Sequence, residues 1–421
     1  MKTLVLGGGI VGVTTAYCLA REGHEVAVVE EKDGLGLEAT AANAGIIAPG
    51  HSFAWGSPRA PGQLVRSLLG KETAIRVKLK PDLRLYTWGW KFLRECTAAR
   101  ARENTLVKLR LNQYSQAVMQ DLVRREGIEY DAVTRGALYL YRGPAELEAG
   151  AARMALMAEH GQKQEILDPD AVARLDPVFE PVRHKIAGAV RDLTDSSGDG
   201  RLFTEALGRI CRERFGTTVH LGTRVTALRA EGDRVTGVAT DRGALTADAY
   251  VLALGIQSPI VARTAGIRLA IYPTKGYSST FPLRADGLAP TVPGVDEQWL
   301  VGWSRLGDRL RLTSTAEFAG YDSTWTPRDF NNILRFARDV FPDAADYARG
   351  EYRACLRPMT PDGRPVLGPS RYRNLFLNVG HGHMGWTMAF GTARIVTDLM
   401  LGRKPELDPA GLTPRRAAGG L

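Results

Sequence analysis

An α/β fold organised around a doubly wound parallel sheet is predicted by three features of the first thirty residues of this 421-residue chain. The apolar run Leu4-Val5-Leu6 leads into glycines at positions 7, 9 and 12. Small and apolar residues, Ala16 and Leu19 among them, then recur at helical spacing as far as Gly23. A second apolar stretch, Glu25 to Val29, ends on the acid Glu30. Strand, glycine turn, helix, strand and acidic terminus in that order are what an adenine dinucleotide requires. Gly7 permits the tight turn off the strand, and Gly9 lets the backbone approach a pyrophosphate. Gly12 and Ala16 let the helix pack closely. Ile10 and Val11 begin that helix, whose free N–H groups and positive dipole end face the pyrophosphate. Glu30, with Glu31 beside it, is placed to accept from ribose hydroxyls, and its charge argues against a 2′-phosphate.

The length allows two or three domains of about 100–200 residues. A hydrophobic content of 44% and a charged content of 24% are those of an ordinary globular protein. No apolar run reaches the roughly twenty residues of a membrane-spanning helix, so none is expected. The first strand begins at Thr3 with nothing like a leader before it, so no signal peptide is expected. Cys18, Cys96, Cys211 and Cys355 stand apart in the chain, which makes a reducing cytoplasm the simplest setting. Of seven histidines only His381 and His383 lie close together, without a metal-ligand pattern, so no metal is expected.

The net charge is +9, yet no basic stripe or recognition motif accompanies it, so nucleic acid is not an expected partner. The most basic stretch carries Arg66, Lys71, Arg76, Lys78, Lys80, Arg84, Lys91 and Arg94. These alternate with Leu68, Leu69, Leu85, Tyr86, Trp88, Trp90 and Phe92. That mixture suits peripheral docking on anionic lipid at the inner face of the membrane. It also suits a helix with a solvated basic face whose tryptophans pack between domains.

Beyond the opening unit, Glu38 to Gly45 is a run of small residues suited to backbone lying against a ligand. Residues 104–127 and 144–161 read as amphipathic helices, 201–214 as another, and 136–142 and 186–193 as strands. Short strands at 223–228 and 235–239, with a turn at Gly232-Asp233, make a small meander. Residues 249–253 form a buried strand that runs up to Gly255. Residues 270–326 are again strand-like, followed by a helix over 327–341. The strand 375–379 then feeds Gly380-His-Gly-His-Met-Gly385 and a final helix over 386–401, with a frayed tail expected from Leu412. This repeats the opening device at the other end of the chain. A second helix N-terminus suits the edge of a flavin ring that becomes negative on reduction. Two such sites far apart in sequence fit FAD better than NAD.

Taken together, the glycine unit with Glu30, Ala41 to Gly45, Tyr272 to Tyr277, Leu356 to Gly363 and Gly380 to Thr387 resemble one family across nearly the whole chain. They look like the D-amino-acid oxidase (DAO) superfamily of FAD enzymes, and within it the chain is most similar to bacterial D-amino-acid dehydrogenases of the small-subunit type. The resemblance implies a two-domain fold of the glutathione-reductase/DAO type. A discontinuous FAD domain would take 1–60, 197–268 and 357–421. A mixed-sheet substrate domain would take 61–196 and 269–356. It also implies hydride transfer from an amino acid's Cα to flavin N5, giving a 2-oxo acid and ammonia, with electrons passed to a quinone or another carrier. Oxidation of cyclic or N-alkyl amino acids is the near alternative, and a tRNA-modifying flavoprotein a more distant one.

Arg357 occupies the family's carboxylate-binding position, and an always-charged guanidinium fork suits that task. Tyr272 and Tyr277 match a strand near the substrate, and His383 falls in the loop that touches flavin or substrate. Gly382, Met384, Gly385, Trp386 and Thr387 would contact the ring system. Thr40, Ala42, Asn43, Ala44 and Gly45 would contact the cofactor, Ile46 and Ile47 would wall the ring, and Val225 and Gly255 would lie against it. Cys355, in a Cys-x-x-x-x-Thr-Pro-Asp spacing, matches the cysteine that holds flavin covalently in a neighbouring branch. The closest branch holds FAD without a bond, and burial is the plain alternative for Cys355. If the amine enters neutral, hydride transfer needs no protein base, which explains the lack of a visible acid–base dyad.

Overall fold

The computed structural model describes residues 1–69, 75–78 and 81–414, and two large sheets organise it. The first sheet runs Val366–Pro369, Leu375–Val379, Ala249–Leu252, Lys2–Leu6, Glu25–Val29 and Thr218–His220. Every neighbouring pair is parallel except the edge pair Val366–Pro369 with Leu375–Val379. The interiors of its central strands are largely apolar because both faces are covered. Val5 and Val28 share a core with Val13, Leu207 and Phe390, from the helices Ile10–Arg21, Gly200–Phe215 and Gly385–Met400. Leu4, Leu6 and Val29 share another with Leu228 and Val238 of the meander Val225–Glu231, Arg234–Thr240 and Gly243–Leu245. A one-residue slip would exchange these faces, and each large apolar side chain is worth about 1.5–3 kcal/mol of burial.

The second sheet has nine strands and is mixed. Its path runs Glu351–Met359, Tyr272–Pro282, Arg309–Phe318, Val301–Leu306, Gly294–Asp296, Ala137–Tyr141, Gly188–Asp192 and Gln164–Leu167. Ile75–Val77 pairs beside Arg309–Phe318. Phe281, Trp303, Leu310 and Leu312 point to one face, where Ile333 and Phe336 of the helix Asn331–Val340 cover them. The alternate residues, Thr280, Ser304, Arg311 and Thr313, turn toward the first sheet.

Several boundaries differ from the sequence expectation by one to three residues, and three differences have a distinct physical reason. The helix expected from Asn104 starts at Ala98, because Thr97 caps it by accepting from the Arg100 N–H; its first turns carry no apolar period to read. Residues 327–341 divide into a 3₁₀ turn, Pro327–Phe330, with a Thr326/Asp329 capping box, and the helix Asn331–Val340. The tail is not free from Leu412: that side chain is buried and its carbonyl accepts from the Leu367 N–H at 2.7 Å. Lys71, Lys80 and residues 415–421 lie outside the described residues.

Candidate active site

A cavity of about 1220 Å³ lies between the two sheets. From the first sheet's side it is walled by Gly7, Gly9, Ile10, Val11, Glu30, Glu31, Val225 and Gly255. Gly7 has φ +114°, and a Cβ there would meet the Ala253 carbonyl oxygen at 2.4 Å. Gly12 is behind the wall: a Cβ would stand 1.8 Å from the Gly7 oxygen, so it serves helix-to-strand contact. Glu30 accepts from the Gly8 N–H at 2.7 Å and the Lys32 N–H at 2.9 Å. Each carboxylate oxygen keeps a lone pair for a ligand hydroxyl. Burial raises the Glu30 carboxyl above its usual range, against those two hydrogen bonds.

The small-residue loop forms the next section through Thr40, Ala42, Asn43, Ala44 and Ile46. Thr40 Oγ1 accepts from the Ile10 N–H at 3.2 Å, and Asn43 Oδ1 from the Gly45 N–H at 2.6 Å. Gly45 itself is off the wall, with φ +82° and its carbonyl accepting from Trp386 Nε1. Ile47 also departs from expectation: strand alternation turns it into the core while Ile46 faces the cavity. Arg311, which sequence reasoning missed, ties this loop to the second sheet. Its Nη1 donates to the carbonyls of Ala41 and Asn43, and its Nε to Thr280 Oγ1.

Gly382, His383, Met384, Gly385, Trp386 and Thr387 complete the cradle at the N-terminus of the helix Gly385–Met400. Neither this helix nor Ile10–Arg21 has an acid in its first turn, so both positive ends are left for a ligand. Two helix N-termini, a carboxylate at the strand end and a cavity with space where side chains cannot stand together fit FAD.

Arg357 lies on the cavity wall, in the middle of the strand Glu351–Met359. Its Nη1 donates to the Thr315 carbonyl at 3.0 Å, and among the described residues no carboxylate pairs with it. Burial lowers its pKa, which means the charged fork is poorly solvated and favours an anion. The fork lies over Gly276, where a Cβ would stand 2.1 Å from Nη2. Opposite Gly276 the pairing register shifts, and Thr315 takes φ +68°. A left-handed β-branched residue is strained, and here the distortion aims its carbonyl at the guanidinium. The Thr315 hydroxyl is buried with no hydrogen-bond partner among the described residues.

His383 stacks on Trp55 with ring centres 4.7 Å apart. Burial, with the neighbouring charges of Lys108, Arg357 and His51, holds its pKa well below the usual value. It is therefore a neutral aromatic wall. Lys108 lies behind, fully buried, with Nζ donating to the Phe53 carbonyl at 2.8 Å; burial brings its pKa down to about 7.

The two tyrosines are not on the wall. Tyr277 points to the opposite face of its strand, inside the core, and its hydroxyl donates to Glu317 Oε2 at 2.8 Å. Tyr272 packs against Trp88 and donates to Asp82 Oδ2 at 3.2 Å. The motif placed both residues on the right strand; alternation sends Tyr277 to the opposite face, whereas Tyr272, on the same face as Gly276, is covered by Trp88 of the helix Leu83–Glu95. Tyr321, unsuspected from sequence, does line the cavity. So does a polar group at the far end, where His51 Nε2 and Arg153 Nη2 contact Glu297 at 2.8 and 3.0 Å. Burial opposes ionisation of Glu297, yet His51 and Arg153 hold its carboxyl at about 2. His51 also stacks on Tyr139. No local motif announces these residues, which come from four separate segments. Cys355 lines the cavity two residues before Arg357, and burial raises its thiol pKa.

Comparison with known proteins places this geometry in context. A family model described as FAD dependent oxidoreductase (DAO) matches residues 2–399. A protein of Mesorhizobium japonicum named D-amino acid dehydrogenase 2 is 44% identical over 412 residues, covering 98% of this chain and 99% of its own. The D-amino acid dehydrogenase of Granulibacter bethesdensis is 39% identical and covered, like this chain, over 100% of its length. Among solved structures, glycine oxidase from Geobacillus kaustophilus superposes with a TM-score of 0.77 at 21% identity, over 99% of each chain. L-proline dehydrogenase from P. horikoshii gives a TM-score of 0.76 at 18% identity, over 100% of this chain and 98% of that one. Likenesses at such identities establish the shared fold.

Proposed function

This chain belongs to the DAO family of FAD-dependent oxidoreductases, and on that premise we propose that it oxidises D-amino acids to 2-oxo acids and ammonia. The observation that carries the reading is Arg357, a guanidinium on the cavity wall with a carbonyl for a partner and no carboxylate among the described residues. A free amino acid brings the missing carboxylate, and the planar fork binds it through two parallel hydrogen bonds. When bound, FAD supplies a hydride acceptor for the hydrogen on the substrate's Cα. The protein's part is orientation. Arg357 fixes one end of the substrate, Thr315 and Gly276 fix Arg357, and the neutral His383 with Trp55 closes the wall without repelling an ammonium group. The amine reacts in its neutral form, we assign no general base, and water hydrolyses the released imine.

The D preference is supported by the full-length identity to proteins named for it. The electrons leave for a quinone or another carrier, and a lipid-borne quinone requires peripheral contact with the membrane. Residues 1–60, 197–268 and 357–421 hold the cofactor, without a covalent bond to Cys355, and residues 61–196 and 269–356 hold the substrate together with Arg357 and His383, the division at 356/357 falling within the second-sheet strand Glu351–Met359.

Anaerobic mixing of the holoprotein with a panel of D-amino acids, D-proline, sarcosine and L-amino acids tests the reading. D-substrates are expected to bleach the flavin band, with colour restored quickly by a quinone analogue and slowly by air. A flavin that no amino acid bleaches refutes it.

A further inference from the structure

Beyond Arg357 the cavity floor continues along the second sheet to Glu297. Arg357 Nη1 is fixed on the Thr315 carbonyl, and the pairing of Ser314 with Val301 sets Leu300 beside Thr315. Glu297 and Leu300 are the first and last residues of the turn that joins Gly294–Asp296 to Val301–Leu306. Asp296 Oδ1 pins this turn by accepting from the Gln298 and Trp299 N–H groups at 3.0 and 2.8 Å. Leu300 has φ +50° and Thr315 φ +68°, two of the three non-glycine residues in the left-handed region among the described residues. Backbone strain of this kind collects where a ligand is handled. Glycine would hold the turn at less cost. Leucine instead leaves an apolar side chain, open to the cavity, between the guanidinium and the carboxylate.

At the end of that floor the charges cancel. Glu297 Oε1 meets His51 Nε2 at 2.8 Å and its Oε2 meets Arg153 Nη2 at 3.0 Å, and all three residues line the cavity. The Arg153 guanidinium lies over the Phe53 ring, 4.8 Å from its centre, which fixes the fork. The carboxylate keeps lone pairs and the guanidinium keeps N–H groups beyond these two contacts, so the group both accepts and donates. A positively charged ligand end would meet Arg153 beside Glu297, and a negatively charged one would meet Glu297 beside Arg153. An uncharged end that carries its own N–H and C=O escapes both penalties and satisfies both partners.

Length narrows the class further. One strand step is about 4.8 Å and the ends of such a turn lie within about 7 Å, so Thr315 and Glu297 stand roughly 10–12 Å apart. A hydrogen bond of about 3 Å at each end, the substrate's own carboxylate and the Glu297 side chain take up most of that distance. Roughly 3–5 Å is left beyond the substrate's Cα, the reach of a side chain that ends at its δ position. We propose that Glu297, Arg153 and His51 form a side-chain subsite for amino acids that end in a carboxamide, with D-glutamine the best match in length and Leu300 beneath its methylenes. This rests on the proposed amino-acid oxidation and names a substrate class within it.

The test is the anaerobic reductive half-reaction of the holoprotein with D-glutamine, D-glutamate, D-ornithine and D-methionine, whose side chains are of nearly equal length. D-Glutamine is expected to exceed each of the others in limiting rate over Kd by about tenfold or more. Glu297→Gln leaves Arg153 without its counter-charge and should move the ratio of D-glutamate to D-ornithine by about tenfold or more toward D-glutamate. Arg153→Gln leaves Glu297 without its guanidinium and should move the same ratio as far toward D-ornithine. Loosened packing cannot drive one ratio in opposite directions, so the pair separates a charge-reading subsite from a structural role. Arg153 is exposed, so Arg153→Gln carries the test alone if Glu297→Gln does not retain flavin. D-Methionine handled as well as D-glutamine, or a ratio moved less than about threefold by a flavin-loaded variant, overturns the subsite and leaves the amino-acid reading standing. A flavin that neither these four nor D-alanine bleaches overturns both.

Discussion

Replacing Arg357 by Ala removes the cavity's unpaired fork and, with it, both charge-assisted bonds to a substrate carboxylate. Each such bond is worth about 1.5–3 kcal/mol, and truncating one partner of a desolvated charge pair costs about 2–5 kcal/mol. At 1.4 kcal/mol per factor of ten, kcat/KM should fall by roughly a hundredfold to several thousandfold. Lys at 357 keeps the charge but loses the fork and the anchor to the Thr315 carbonyl, so a loss of about tenfold to a hundredfold is expected. Gly276→Ala supplies the control that leaves charge untouched. Its Cβ would lie 2.1 Å from Nη2 and 2.4 Å from Cζ, so the guanidinium must shift by about 1 Å or more. A misplacement of that size costs up to about a hundredfold in rate. The assay is the anaerobic reductive half-reaction, which separates the apparent Kd for the amino acid from the limiting rate of bleaching. Arg357→Ala should act chiefly on Kd, and Gly276→Ala on both. A Kd within about threefold of wild type in Arg357→Ala, at normal flavin content, would refute the carboxylate assignment.

Four shorter predictions test other parts of the site. Thr315→Gly relieves a left-handed β-branched residue and should raise stability by about 1–2 kcal/mol in denaturant melts while weakening substrate binding through a looser Arg357; unchanged stability would show that the turn carries no strain. Gly12→Ala puts a Cβ 1.8 Å from the Gly7 oxygen and should give a protein purified without flavin, read from the visible spectrum. Acid precipitation of the wild-type protein should release all yellow colour to the supernatant, and Cys355→Ala should behave identically; colour kept in the pellet would establish a covalent link. Glu297 is held near 2 in the fold against an ordinary value of 4.5, so its contribution is fully present above pH 4.5 and disappears as pH falls toward 2. The stability advantage of wild type over Glu297→Gln, about 3 kcal/mol at neutral pH and read as a difference in thermal midpoints, should shrink over that window.

Much of the cofactor cradle could be read locally because it is built from local devices. A glycine turn, a helix N-terminus and an acid at a strand end act within some thirty residues, so their spacing is preserved in the one-dimensional record. Nineteen of the twenty-two residues expected at the cofactor line the cavity; of the exceptions, Gly12 and Gly45 stand directly behind it where they let main chains meet, and Ile47 turns into the core. Arg357 was legible only through likeness to a family, since nothing around Leu356 and Pro358 distinguishes a substrate-binding cation from a structural one.

Pairing between distant strands was decided in three dimensions alone. Tyr277 and Gly276 are neighbours in sequence, yet one enters the core and the other supports the guanidinium, because alternation sends adjacent residues to opposite faces. The shift that strains Thr315 exists only once Tyr272–Pro282 meets Arg309–Phe318. Likewise His51, Tyr139, Arg153 and Glu297 gather from four segments, and only the closing of the second sheet brings them together. Local spacing therefore determined how this chain can hold a dinucleotide. What can sit beside that dinucleotide was decided by sheet register, a property of pairs of strands that no single strand encodes.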